Sequence, residues 1–150
     1  MIAYLIVIGL VVVLAIQDMQ HRQVSVWLLA VLGAATLWAA YSNHLIWIDM
    51  LLNAGYLLFL FALTGLYLLV TRRKPAQMIG KGDIVFLIVL LPLFSFEAFS
   101  YWLILSLLVS LIIHGLVQWL IRPKEPSIPL VTYLSLCLMF HLIPTLFESI

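Results

Sequence analysis

The sequence predicts an all-α, polytopic membrane protein with six transmembrane helices, forming one integral-membrane domain over residues 1–150. Three observations predict it. Hydrophobic residues make up 66% of the chain and charged residues only 9%, against roughly 25% charged in a soluble domain. The apolar residues fall into six runs separated by short polar breaks, and a helical span needs ~20 mostly apolar residues. The seven Lys and Arg residues fall only in alternate breaks, as a chain threading a membrane back and forth requires.

The first span covers residues 1–17 and ends in Asp18-Met19-Gln20-His21-Arg22. It is apolar from its first residue, without a basic n-region or a small-residue cleavage pattern, so it is expected to stay as a membrane helix. The second begins near residues 24–27 and ends near 41, before Ser42-Asn43-His44. The third covers 46–70 and stops at Thr71-Arg72-Arg73-Lys74-Pro75, where cations suit a helix C-terminus and proline ends the helix. After a loop at 76–82, the fourth segment, 83–94, is short and contains Pro92. The fifth runs from about 99 to 121, and the sixth from 128 to 147. The turn between them, Arg122-Pro123-Lys124-Glu125-Pro126-Ser127, is rich in proline and charge.

With six spans, Arg22, Arg72, Arg73, Lys74, Lys81, Arg122 and Lys124 all share one face, while Asp49, Glu97 and Glu148 lie toward the other. The positive-inside rule makes the basic face cytoplasmic and puts both termini on the non-cytoplasmic side. Cations so few serve topology, and nucleic-acid binding has no support. The single cysteine, Cys137, excludes an intramolecular disulfide and a cysteine-based metal site. It is expected to be a small buried apolar residue.

Asp18 closes the first span and Asp83 opens the fourth, so both face the cytoplasm. An acid costs roughly 2.5–3.5 kcal/mol at the centre of a membrane helix and less near the interface. A helix of about a dozen residues rises only ~18 Å, against a hydrocarbon core of ~30 Å. If the fourth segment reaches the outer interface, Asp83 is sunk below the cytoplasmic surface. Two carboxylates close together cannot both ionise easily in a low dielectric, so one keeps a proton. The ionised one can take a proton from water while the protonated one polarises a scissile carbonyl. Such chemistry needs the first and fourth helices side by side at their cytoplasmic ends.

Asp83 follows Gly80-Lys81-Gly82. Gly80 and Gly82 would let backbone approach an extended peptide and adopt turns barred to other residues. The alternative is an ordinary loop with Asp83 as the N-cap of the fourth helix. Asp18, near a helix C-terminus, meets an unfavourable dipole. Its alternative role is that of an interfacial acid paired with Arg22 at i+4.

Gly80-Lys81-Gly82-Asp83, with an earlier Asp18 and Arg22 and a later Ile128-Pro129-Leu130, resembles the prepilin and preflagellin peptidases. These are polytopic aspartic proteases carrying a Gly-x-Gly-Asp motif. The resemblance covers most of the chain in order and spacing. It implies that Asp18 and Asp83 are the catalytic pair and that Gly80 and Gly82 form the substrate-binding turn. Independently of the resemblance, His114 and His141 could be imagined as metal ligands, but no carboxylate in the sequence completes a convincing set, so no metal or other cofactor is expected. The implied partners are pilin-like proteins with an N-terminal leader, cut at the cytoplasmic face after a small residue such as Gly. The implied location is the cytoplasmic (inner) membrane of a prokaryote, with the chain in contact with the lipid bilayer as a multi-pass protein. Val24-Ser25-Val26 stands where the family often has Ile-Pro-Asn, and Val85 where a Lys is common. The cysteine-bearing insert of larger members is absent, so the likeness is to the short form without methyltransferase activity. Presenilin-like proteases share Gly-x-Gly-Asp but have more spans, a Tyr-Asp pair and a Pro-Ala-Leu segment.

His114 and Gln118 share one face of the fifth span, Asn53 lies in the third and His141 in the sixth. Interhelical hydrogen bonds are the expected role of such residues. The competing class of function is non-enzymatic: a membrane scaffold or transport subunit of a secretion or pilus assembly system, in which both aspartates are structural.

Overall fold

The computed structural model describes residues 2–21, 24–42, 47–71, 80–121 and 130–148. Among them, every regular element is helical: α1 (Ile2–His21), α2 (Val26–Ser42), α3 (Trp47–Thr71), α4 (Lys81–Leu90), a 3₁₀ turn (Leu91–Leu93), α5 (Phe96–Ile121) and α6 (Leu130–Glu148). Three apolar stretches are long enough to cross a membrane: Ile2–Gln20, Trp47–Val70 and Phe96–Leu116.

Several ends differ from the sequence expectation, each for a physical reason. α1 continues one turn past residue 17, so Asp18 lies inside the helix rather than after it. α5 starts at Phe96 because the Asp49 carboxylate accepts the Phe96 N–H at 3.2 Å and the Ser95 carbonyl accepts the Phe99 N–H at 2.9 Å. α4 starts two residues before Asp83, with Gly80 at its N-cap.

α1 lies between α2 and α6, and α4 packs against the same two helices. α5 lies against α6, and α3 joins α5 to the 3₁₀ turn that follows α4. α1 and α4 therefore face each other across shared neighbours, with no extensive contact of their own among the described residues. The side-by-side approach expected at their cytoplasmic ends can therefore involve only the two helix ends.

The interior is a set of helical stripes. Ala3, Val7, Val11 and Leu14 line α1; Leu29, Leu32, Ala35 and Ala39 line α2; Val131, Leu134, Leu138 and Leu142 line α6; Phe86, Leu87 and Leu90 line α4. These spacings of three and four keep one helical face inward. Asp18 continues the α1 stripe and Asp83 heads the α4 stripe, so both aspartates stand on the inward faces of their helices.

α4 with its 3₁₀ turn rises about 21 Å, less than the hydrocarbon core. Its far end is closed by side chains from other helices. The Asn53 side-chain amide, fully buried, donates to the carbonyls of Leu91 at 3.1 Å and Phe94 at 2.9 Å. The Thr36 hydroxyl donates to the Val89 carbonyl at 2.8 Å. Beyond the turn, the rings of Phe94 and Trp102 stack at 5.2 Å, and Phe99 and His141 close around Phe94. Asn53 thus makes the interhelical hydrogen bonds expected of it. Cys137 is a free thiol, half-buried on α6 rather than fully buried.

Candidate active site

The C-terminus of α1 and the N-termini of α2, α4 and α6 meet at one end of the bundle. Each junction is made by a specific contact. The Gln17 side-chain oxygen accepts the Ser25 N–H at 3.2 Å, tying the end of α1 to the start of α2. Gly82 lets the first turn of α4 approach Val24, since a Cβ there would lie 3.3 Å from Val24 Cγ2. The third contact joins α1 to α6 and centres on Asp18.

Asp18 is only 6% exposed. Its Oδ2 accepts the Thr132 backbone N–H at 3.0 Å and the Thr132 hydroxyl at 2.9 Å. Thr132 lies in the first turn of α6, where backbone N–H groups have no partner within their own helix. A carboxylate near the C-terminus of α1 meets the negative end of one dipole, but here it also caps the positive end of another. This resolves the difficulty Asp18 posed as a sequence feature. It points inward rather than out to the interface, and Arg22 lies outside the described residues.

Asp83 occupies the third position of α4, not the N-cap. Its Oδ2 accepts the Gly80 N–H at 3.1 Å, folding the carboxylate back over the helix start. Gly80 has an extended backbone, φ −68° and ψ 139°, open to any residue. What glycine gives there is room: a Cβ would stand 2.8 Å from Asp83 Oδ2, so a larger residue would displace that carboxylate. The turn conformations barred to other residues are therefore not what Gly80 supplies. Asp83 is half-buried. Among the described residues, each aspartate makes its hydrogen bonds through Oδ2, which leaves Oδ1 of each for other partners.

The end of the bundle thus gathers Asp18, Gly80, Gly82 and Asp83, drawn from two helices that share no long interface. Ile128 and Pro129 lie outside the described residues, and Leu130 opens α6. His141 lies against Phe94 at the opposite end, and the Gln118 side chain is outside the described residues. No three His, Cys, Asp or Glu side chains converge among the described residues. Thr132 is the residue that sequence reasoning missed; a threonine two positions into an apolar run carries no signal of its own. In comparisons with known proteins, no family model, no curated protein and no solved structure matches the chain.

Proposed function

We propose that the chain is a membrane aspartic endopeptidase that removes the N-terminal leader of pilin-like proteins at the cytoplasmic face of the inner membrane of a prokaryote. The observation that carries this reading is that two carboxylates on inward helix faces, Asp18 and Asp83, stand at the same end of an apolar bundle. Ionisable groups in such a setting are functional candidates by default. The Gly80-Lys81-Gly82-Asp83 motif gives the substrate class through its resemblance to prepilin and preflagellin peptidases.

In this reading the six helices cross the membrane, with both termini on the non-cytoplasmic side. Six of the seven basic residues fall in sequence between α1 and α2, α3 and α4, or α5 and α6, and Lys81 opens α4; the end of α1 and the starts of α2, α4 and α6 that flank them lie at the end that holds the aspartates. The positive-inside rule then supports a cytoplasmic site.

The pair works as a unit. The ionised carboxylate takes a proton from water, whose oxygen bonds to the scissile carbonyl carbon. The protonated carboxyl gives its proton to the carbonyl oxygen, forming a tetrahedral diol. Collapse of the diol breaks the C–N bond as a proton passes from the pair to the leaving nitrogen.

A second reading has its own observation: each carboxylate also caps a helix N-terminus, Asp83 that of α4 and Asp18 that of α6. Both would be structural in a scaffold or transport subunit of a secretion or pilus assembly system. Co-expression with a pilin-like substrate separates the two. Asp18→Asn and Asp83→Asn keep a side-chain oxygen that can accept the capping N–H, so both variants should accumulate in the membrane. Under the peptidase reading each abolishes shortening of the substrate, and the double variant is no worse than either single. Near-full processing by either variant would assign that aspartate a structural role.

A further inference from the structure

The Thr132 hydroxyl stands between two acceptors. Its Oγ1 lies 2.9 Å from Asp18 Oδ2 and 3.2 Å from the Ala15 carbonyl oxygen. A hydroxyl has one proton to donate and lone pairs to accept with. Asp18, Thr132 and the Ala15 carbonyl therefore form a set that is satisfied in two ways. With Asp18 ionised, both the Thr132 N–H and its hydroxyl donate to Oδ2. With a proton on Oδ2, Asp18 donates to Thr132 Oγ1 and the hydroxyl turns to the Ala15 carbonyl, while the N–H still reaches Oδ2. No heavy atom has to move between the two states. An unpaired polar group in so buried a place costs roughly 1–3 kcal/mol, and this arrangement leaves neither the Thr132 hydroxyl nor its N–H unpaired in either state.

We propose that Thr132 is the positioning residue of Asp18: its N–H fixes Oδ2, and its hydroxyl switches between Oδ2 and the Ala15 carbonyl as the proton comes and goes. This rests on the peptidase reading for its role in turnover. Across the site α4 carries the Asp83 carboxylate, bonded to the Gly80 N–H; Gln17 beside Asp18 is bonded to Ser25 of the segment before α2. Neither substitutes for the hydroxyl. Thr132 does not touch substrate, so its effect falls on proton transfer rather than on binding.

The test uses the full chain purified in detergent and a synthetic peptide with a basic leader ending in Gly, followed by an apolar stretch. Thr132→Val keeps the shape and the N–H but removes the hydroxyl; Thr132→Ser keeps the hydroxyl. Thr132→Val should lower kcat roughly ten-fold, which is about 1.4 kcal/mol at the transition state, with KM within about two-fold. Thr132→Ser should restore kcat to within about three-fold of wild type. Equal loss in both variants, an effect on KM alone, or unchanged kcat in Thr132→Val would each overturn the proposal. A readout independent of turnover is the infrared carboxyl band of Asp18, identified by its loss in Asp18→Asn. It should move in Thr132→Val and keep its position in Thr132→Ser; an unmoved band rejects the hydroxyl switch. If the wild-type protein cuts no such peptide, the peptidase reading fails, while the infrared comparison still decides whether Thr132 serves Asp18.

Discussion

Gly82 brings the first turn of α4 so close to Val24 that a single added methyl would stand 3.3 Å from Val24 Cγ2 and 3.4 Å from its Cβ. Gly80, two residues earlier, leaves the space that the Asp83 carboxylate fills. The two glycines thus have different tasks within one motif. One sets how near α4 lies to the segment between α1 and α2; the other sets where the Asp83 side chain rests.

Gly82→Ala should therefore be nearly neutral in stability but harmful to the site. Alanine gains about 1 kcal/mol of helix propensity over glycine, and because Val24 need shift only slightly the overpacking cost is about 1 kcal/mol, the low end of its range, so the two nearly cancel. Val24 must give by a few tenths of an ångström, and α4 carries Asp83 with it. Thermal unfolding in detergent should change little while leader processing slows. Gly80→Ala forces the Asp83 carboxylate off the Gly80 N–H and should cost about 1 kcal/mol, the usual value of a lost cap. Its processing should fall further than that of Gly82→Ala. Normal processing by Gly80→Ala would show that Asp83 need not rest where it does.

A third pair of variants tests what holds α4 at its depth. Asn53→Leu orphans the carbonyls of Leu91 and Phe94, and two lost hydrogen bonds at roughly 1 kcal/mol each predict a loss of about 2 kcal/mol. Thr36→Val removes the donor to the Val89 carbonyl and should cost about 1 kcal/mol. Denaturant unfolding in mixed micelles measures both. If Thr36→Val proves the more damaging, the far end of α4 is held by α2 rather than by α3.

The number, order and approximate extent of the helices among the described residues were legible in the sequence because polar residues, charge or proline interrupt the apolar runs near each break. Which face of each helix turns inward was not. Membrane helices are apolar all round, so Val11 and Val13 read alike in the sequence although one is buried and the other is 48% exposed. The inward placement of Asp18 depends on that hidden register. The partner of Asp18 was equally invisible, because Thr132 is 114 residues away and its N–H is free only by virtue of where α6 begins. α4 starts at Lys81, inside the stretch 76–82 expected as a loop: two glycines weaken a helix there, but the close approach of Gly82 to Val24 is what favours glycine at that position.

Topology follows from the placement of the cations. Reporter fusions after Arg73 and Lys124 should behave as cytoplasmic, and fusions after Asn43 and at the C-terminus as external. The alternating directions of the helices make these four results interdependent. A cytoplasmic C-terminus would break the six-crossing scheme and remove the shared face from which the peptidase reading starts.

The last prediction concerns how near Asp18 and Asp83 come in the working state. Catalysis by one carboxylate pair requires both groups to reach a single water, hence a separation of a few ångströms. α1 and α4 face each other across α2 and α6 rather than lying flank to flank, so any approach of the pair occurs at their ends alone. In a Cys137→Ala background, Asp18→Cys with Asp83→Cys should therefore be joined by a short thiol crosslinker. A direct disulfide needs Cα atoms about 4.4–6.8 Å apart and should form more slowly. Leader peptide should raise the yield if it draws α4 toward α1. Asp18→Cys with Glu97→Cys is the control, because Glu97 lies in the first turn of α5 at the opposite end of the bundle, and it should not react. Failure of the Asp18/Asp83 pair to crosslink, with and without peptide and with both thiols accessible to a small alkylating reagent, would leave two separate helix caps. That outcome favours the scaffold, in which Asp18 holds α6 to α1 and Asp83 does no more than start α4.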